Sequence, residues 1–357
     1  QNGDHLIKLA YENGVTIKAV FTPEHGFKGV AGAGEKVENG IEPFTGAPIY
    51  SLYGKAKKPS IDMLMGIDIL MFDMQDIGVR YYTYVSTLTL TMEAAAESGI
   101  PIMVLDRVNP LGSDISGQLL DVEFSSFVGM HPIPVRHGMT LGELAQMING
   151  ESWLSYGIMA DLTVIPYDGK INQEVRESVF YPPPSPNMSN LETAWLYQGL
   201  CLLEGTNLSE GRGTDLPFKL IGAPWLDNQK LYDELVKTKH PLDEFKIAEF
   251  TPLSIPAAKY PKYEGEKCLG LRINNLENPI DWTIKLLAII KSLHPEQFKF
   301  LESNFIDKLY GSDGLRLSIS ENRNINILIE NFQNHKGEFL QKREKYLIYD
   351  SLKNQNK

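Results

Sequence analysis

Cysteine is nearly absent from this chain: Cys201 and Cys268 are the two in 357 residues, far apart and outside any CxxC or Cys/His ligand spacing. A structural zinc site is excluded on that count. Cys201 sits in the apolar stretch LYQGLCLLEG, where a thiol behaves as a small hydrophobe, so two free thiols are expected. Long apolar runs are missing as well, none approaching the roughly 18 residues that a membrane-spanning helix needs. Basic residues are outnumbered, 34 Lys and Arg against 45 Asp and Glu, and the net charge of -11 argues against a nucleic-acid partner, which would need clustered cations. There is no P-loop, no GxGxxG and no GxSxG elbow, and no Ser or Cys stands with a base that would activate it. No cofactor and no metal are therefore expected. Low-complexity tracts are also lacking, and 43% hydrophobic with 22% charged residues is the composition of a folded globular chain.

The length suits two cores. Up to Asp106, helical and strand patterns alternate: DHLIKLAYENG, VTIKAVF, SIDMLMG, IDILMFD, VSTLTLTMEAAAESG and PIMVLD. Such alternation predicts an α/β fold with a mostly parallel sheet covered by helices. Residues 107–225 are loop-rich, with YPPPSPNMSN and EGTNLSEGRGT around one helix, NLETAWLYQGLCLLEG. From 226 to 357 a smaller α/β unit is expected: GLRINN as a strand, IDWTIKLLAIIKSLHP as an amphipathic helix, and a long helical pattern to the end. The predicted units are thus 1–225 and 226–357.

Chemistry should sit where strands release their carboxyl ends into loops. The first such place is VTIKAVFTPEHGFKG: an apolar strand stopped by Pro23, then Glu24 and His25 together. The second, FDMQDIGVRYYTY, gathers Asp73, Gln75, Asp76, Arg80 and Tyr84, donors and acceptors for sugar hydroxyls with aromatic faces for pyranose rings. Asp73 and Asp76 leave a second reading open, as hard-metal ligands. PVRHGMTLGEL offers Arg136 and His137 ahead of a helix that Thr140 and Glu143 would cap as a box. In SEGRGT, Arg212 lies between two glycines that permit a tight turn. It would either grip a substrate carboxylate or tie loops together. With no nucleophilic Ser or Cys, carboxylates are the candidates for catalysis, and Glu24 suits the acid of a glycosidase. Glu93, on the helix after the second motif, is the candidate partner, because helical side chains lean toward the N-terminus.

Taken in order, FTPEHGFKG, FDMQDIGVRYYTY, LDRVNPLG, DVEFSSFVGMHPIPVRHGMTLGEL, PPPSPN and CLLEGTNLSEGRGT resemble the NamZ-type exo-β-N-acetylmuramidases over nearly the whole chain. The resemblance implies a Rossmann-like N-terminal domain, a smaller C-terminal α/β domain, an active cleft between them, and release of N-acetylmuramic acid (MurNAc) from the non-reducing end of peptidoglycan fragments. It implies Glu24 as a catalytic residue, matches Glu93 to a second glutamate, and adds Asn109 and Asn207 to the substrate-binding candidates. It also implies a periplasmic or secreted location, and a first sheet strand ahead of residue 1. MurNAc carries a lactyl carboxylate, for which Arg80, Arg136 and Arg212 are the candidate cations. The rival expectations are a non-catalytic cell-wall sugar-binding protein and a metal-dependent hydrolase built on Asp73 and Asp76.

Overall fold

The structure is a computed structural model in which residues 5–349 are described, apart from 28, 30, 33, 34, 36, 37, 55 and 238–243. The chain runs through α1 (Leu6–Glu12), β1 (Val20–Thr22), β2 (Gly40–Ile41), β3 (Pro48–Ser51), α2 (Ile61–Leu64), β4 (Leu70–Phe72), α3 (Tyr84–Ser98), β5 (Ile102–Leu105), α4 (Leu141–Gly150) and β6 (Leu162–Ile165). There follow α5 (Gln173–Ser178), α6 (Leu191–Leu200), β7 (Leu220–Ala223), α7 (Asn228–Lys237), β8 (Phe245–Phe250), β9 (Cys268–Ile273), α8 (Pro279–Leu293), α9 (Phe305–Tyr310), α10 (Gly314–Ser320) and α11 (Asn326–Arg343).

Strands β4, β5 and β6 form a parallel sheet, with Leu70 opposite Ile102 and Ile102 opposite Leu162. Parallel strands need crossovers, and α3 and α4 supply them. Their apolar faces (Leu88, Met92, Leu144, Ile148) close a core over Ile102 and Val104. The helix signals read from the sequence operate here. Gly99 ends α3 in the left-handed region at φ 64°, and Thr140 and Glu143 bond reciprocally to open α4. The parallel strands fall into two sheets. β1 pairs in parallel with β3, which pairs antiparallel with β2, and β1 keeps only Val20 and Phe21 of the expected VTIKAVF strand, adding Thr22, because the facing run, Ile49 to Ser51, is equally short.

The second unit is an antiparallel sheet, β7-β9-β8, backed by α7 and α8. A cut at residue 225 would separate β7 from the strand it pairs with, and α6 already packs in the same core as α8. That core also takes in Ile77, Tyr82 and Val135 from the first unit, so the two units share buried surface. The long C-terminal helix, expected within the second unit, returns to the first: α11 and the residues after it put Phe332, Phe339 and Leu347 into the core over the parallel sheet. Arg343 there donates to the carbonyls of Ser113 and Gly138, and Tyr349 donates to Asp106. Residues 350–357, where the sequence continued the helical pattern, lie outside those described. Cys201 and Cys268 are both free and buried. Among the described residues no helix is long and apolar enough to cross a membrane.

Candidate active site

The chain leaves β1 through Pro23 into a turn that holds Glu24 half-buried. His25 follows at φ 74° and Gly26 at φ 71°. A left-handed histidine costs of order 1–3 kcal/mol and persists only where its surroundings hold it. Two bonds do so here: His25 Nδ1 lies 2.7 Å from the Ala31 carbonyl, and the Ala31 amide donates to the His25 carbonyl at 3.2 Å. A carbonyl only accepts, so the imidazole proton is on Nδ1 and Nε2 keeps its lone pair. Burial lowers the His25 pKa, the charge of Glu24 and the Ala31 carbonyl bond oppose this, and Arg212 adds to the lowering.

Glu24 Oε2 accepts from Thr83 Oγ1 at 3.2 Å. Thr83 stands at the cap position of α3 but makes no side-chain capping bond, which leaves its hydroxyl for Glu24. The next residue, Tyr84, is buried and donates to the Pro184 carbonyl at 3.2 Å. Burial drives its pKa far up, the bond with Tyr82 opposes this, and the charges of Glu24 and Asp76 add to the rise.

Asp76 is 5% exposed. Its Oδ2 accepts from the Gly78 amide at 2.6 Å and lies 3.4 Å from His137 Nε2, while Oδ1 is buried without a partner. His137 Nδ1 accepts from the Met139 amide, which puts the neutral ring's proton on Nε2, facing Asp76. Gly78 is required for this turn: φ is +85°, and a Cβ there would meet Asn109 Oδ1 at 2.3 Å. Asn109 joins the same loops by donating to the Met139 carbonyl and accepting from the Leu111 amide. Thr22 Oγ1, two residues before Glu24, is also buried without a partner. Unpaired buried acceptors and hydroxyls are costly, and such groups are what a polar ligand would satisfy.

The Glu24 turn thus meets the start of α3 at Thr83, and Asp76 faces His137 across the Gly78 turn, against which Asn109 packs. Other candidates lie elsewhere. Arg80 is 1% exposed and acts as a strut, giving Nη1 to the carbonyls of Gln118 and Ile133 and Nη2 to those of Leu309 and Tyr310. Asp73 pairs with Arg107, and Gln75 donates to the carbonyls of Asp76 and Val108. Asn207 joins its loop to the Gln297 carbonyl and the Lys299 amide. No three His, Cys, Asp or Glu gather as a metal would require among the described residues.

Glu93 lies away from Glu24. Ten residues of α3 separate it from Thr83, about 15 Å of helix axis, which the lean of a side chain cannot span. Its carboxylate is used up by the Ser155 amide (2.9 Å), the Ser155 hydroxyl (2.7 Å) and Lys58 (3.3 Å). The tyrosine platform expected in FDMQDIGVRYYTY is also absent. Tyr81, Tyr82 and Tyr84 are at most 6% exposed, and Tyr82 packs edge-on against Tyr84 and Tyr197 instead of presenting a free face.

Arg212 sits on the turn its glycines allow, at φ 80° for Gly211 and 81° for Gly213. Its guanidinium bonds Glu204 through Nε and Nη2, lies 3.6 Å from Glu210 and stacks 4.8 Å over Phe218. Glu204 and Glu210 were missed from sequence, although both flank Arg212 in LLEGTNLSEGRG. Thr83 and Thr22 were missed too, being ordinary-looking hydroxyls without a spacing signature. Arg136 differs from the other two cations. At 9% exposed it lies 4.9 Å over Trp195, and its side chain makes no hydrogen bond or ion pair among the described residues.

The sequence matches two family models, the N-terminal part of the exo-β-N-acetylmuramidase NamZ over residues 1–192 and its C-terminal part over residues 195–349. The peptidoglycan β-N-acetylmuramidase NamZ of Bacillus subtilis (strain 168) is 42% identical over 355 residues, spanning 96% of this chain and 82% of that protein. Two DUF1343 family proteins of Bacteroides fragilis NCTC 9343 have similar crystal structures. One is 35% identical with a TM-score of 0.79, covering 98% of this chain and 90% of the other; the second is 28% identical with a TM-score of 0.82, covering 97% and 90%. On both halves, the chain belongs to the NamZ exo-β-N-acetylmuramidase family.

Proposed function

We propose that this protein is an exo-acting glycoside hydrolase that releases MurNAc from the non-reducing end of peptidoglycan fragments, with Glu24 as its general acid. The observation that carries this reading is Glu24 bonded to Thr83 at the start of α3, together with a buried Asp76 whose Oδ1 is unpartnered. Glycosidases work with two carboxyl groups about 5–9.5 Å apart, one protonating the leaving oxygen and the other acting as nucleophile or base. Asp76 fits the second role better than Glu93, whose position along α3 is too distant and whose oxygens are already bonded. His137 Nε2 lies 3.4 Å from Asp76 Oδ2, the place from which a third group of a catalytic set would orient that carboxylate.

The lactyl carboxylate of MurNAc needs a cation. Arg80 is occupied by four carbonyls and Arg212 by two glutamates, which leaves Arg136 with bonding capacity. A peptidoglycan fragment as substrate suits a periplasmic or secreted enzyme of cell-wall recycling.

The test is incubation with a MurNAc-GlcNAc disaccharide. The wild type should release MurNAc with or without chelator. Glu24→Gln keeps the shape but cannot protonate the leaving oxygen, so turnover should fall by about 10²- to 10⁴-fold while binding persists. A variant that retains more than about a tenth of wild-type turnover removes Glu24 from the acid role.

A further inference from the structure

The aromatic platforms that a sugar enzyme needs are not in the buried tyrosine cluster, which directs attention to tyrosines with free faces at the rim. Tyr260 is 92% exposed. It lies in an open groove of about 360 Å³ lined by Ser254, Ile255, Pro256, Lys259 and Tyr260. The groove is part of a short loop that is held firmly. Ile255 and Ala258 exchange backbone bonds at 3.1 and 2.9 Å, and Ser254 Oγ donates to the Lys259 carbonyl at 2.9 Å.

Three segments of the site converge on this loop. Ala31, bonded twice to His25, is followed by Gly32, where a Cβ would stand 3.0 Å from the Pro256 carbonyl oxygen and 3.2 Å from that of Ala257. Glu35 accepts from the Gly32 amide and pairs with Lys259. From the proline-rich loop, whose Pro184 carbonyl receives the Tyr84 hydroxyl, Asn187 donates to the Ala257 carbonyl at 2.7 Å. The Leu253 amide donates to the Gly213 carbonyl at 2.8 Å, next to Arg212. The Glu24 turn, the proline loop and the Arg212 turn are thus all anchored to the piece of chain that displays Tyr260.

We propose that this groove is the subsite for the leaving side of the substrate, with Tyr260 as the stacking platform for the first sugar ring beyond the scissile bond. The inference rests on the hydrolase reading above. An exo-acting enzyme encloses one terminal ring and lets the rest of the glycan leave along the rim, and the rim next to the Glu24 turn is this loop. An exposed tyrosine face suits the apolar face of a GlcNAc ring. Ile255 and Pro256 keep the floor apolar, and Ser254 and Lys259 meet ring hydroxyls at its edge. Because the loop is braced at three points, the platform is formed before substrate arrives, and its contribution falls on binding the leaving side and not on the chemical step.

The experiment compares wild type, Tyr260→Ala and Tyr260→Trp on two substrates: MurNAc-GlcNAc, and MurNAc fluoride, which carries no ring beyond the scissile bond. Tyr260→Ala should raise KM for the disaccharide about tenfold, leave kcat within about twofold and leave both parameters for the fluoride unchanged, while Tyr260→Trp should restore the disaccharide KM. Equal losses on both substrates, or no loss on either, overturn the subsite. If wild type turns over neither substrate, the hydrolase reading itself fails, a result distinct from the other two.

Discussion

His131 provides a measurable consequence of how the base of α3 is built. It is 4% exposed and stacks on Trp153 at a centroid distance of 5.2 Å, with Nε2 lying 2.8 Å from Thr89 Oγ1. Thr89 gives its own proton to the Val85 carbonyl, so the imidazole donates through Nε2 and is neutral. Burial pushes its pKa from 6.5 down to about 4, against the opposing charge of Glu93. The unfolded chain, at 6.5, therefore takes up a proton that the folded chain refuses. The stabilisation is complete above about pH 6.5 and is lost as pH falls toward about 4. At about 1.4 kcal/mol per pH unit between those limits the total is about 3 kcal/mol, of which about 2 kcal/mol is gone by pH 5. His131→Phe keeps a ring against Trp153 and leaves Thr89 its Val85 bond, so any packing change is a constant offset. Urea unfolding of both proteins at about pH 7.5 and about pH 5 should show the wild type losing about 2 kcal/mol more than the variant. Parallel losses at the two pH values would refute the buried neutral histidine.

Two further outcomes separate structural from functional residues. Glu93→Gln should lower stability by about 1–3 kcal/mol, because it weakens the bonds to Ser155 and Lys58, yet leave kcat within about twofold; turnover falling with stability intact would return Glu93 to the cleft. Arg212→Lys loses the fork that bonds Glu204 and should impair MurNAc and lactyl-free substrates alike while lowering the melting temperature. Arg136→Lys should instead penalise MurNAc selectively, and the opposite pattern in paired aryl glycosides would exchange the two roles.

Where the fold could be read from sequence, the reason is local. The alternation from residue 5 to Asp106 gave α1, α2, α3, β4 and β5 nearly where they lie, because each carries its own period, and the Thr140 and Glu143 box marked the start of α4 in the same local way. What depended on distant partners was not readable. The β1 strand is limited by the length of β3, and β7 falls in the second sheet because it pairs with β9 some fifty residues later. The return of α11 to the first core depends on Phe332 and Phe339 reaching a surface more than two hundred residues away in sequence, and a weakly amphipathic helix announces no such destination.

The site divides along the same line. The position of Glu24 at a strand end was legible because its signal is contained in three residues: a proline that stops a strand, then a carboxylate and an imidazole at its open end. The distance of Glu93 from it was not, since that requires knowing that Glu24 meets α3 at its cap, Thr83. From that contact, 1.5 Å per residue carries Glu93 out of range, while the turn at Gly78 folds Asp76 back toward Tyr84 and His137. Composition misled in a further respect: three tyrosines beside polar groups imply a sugar platform only if their faces are free, and here the rings pack on one another and leave hydroxyls at the site. Burial converts the same residues from a binding surface into a scaffold, and the exposed aromatic face moves to Tyr260, on a loop where an isolated tyrosine gave no signal in the sequence.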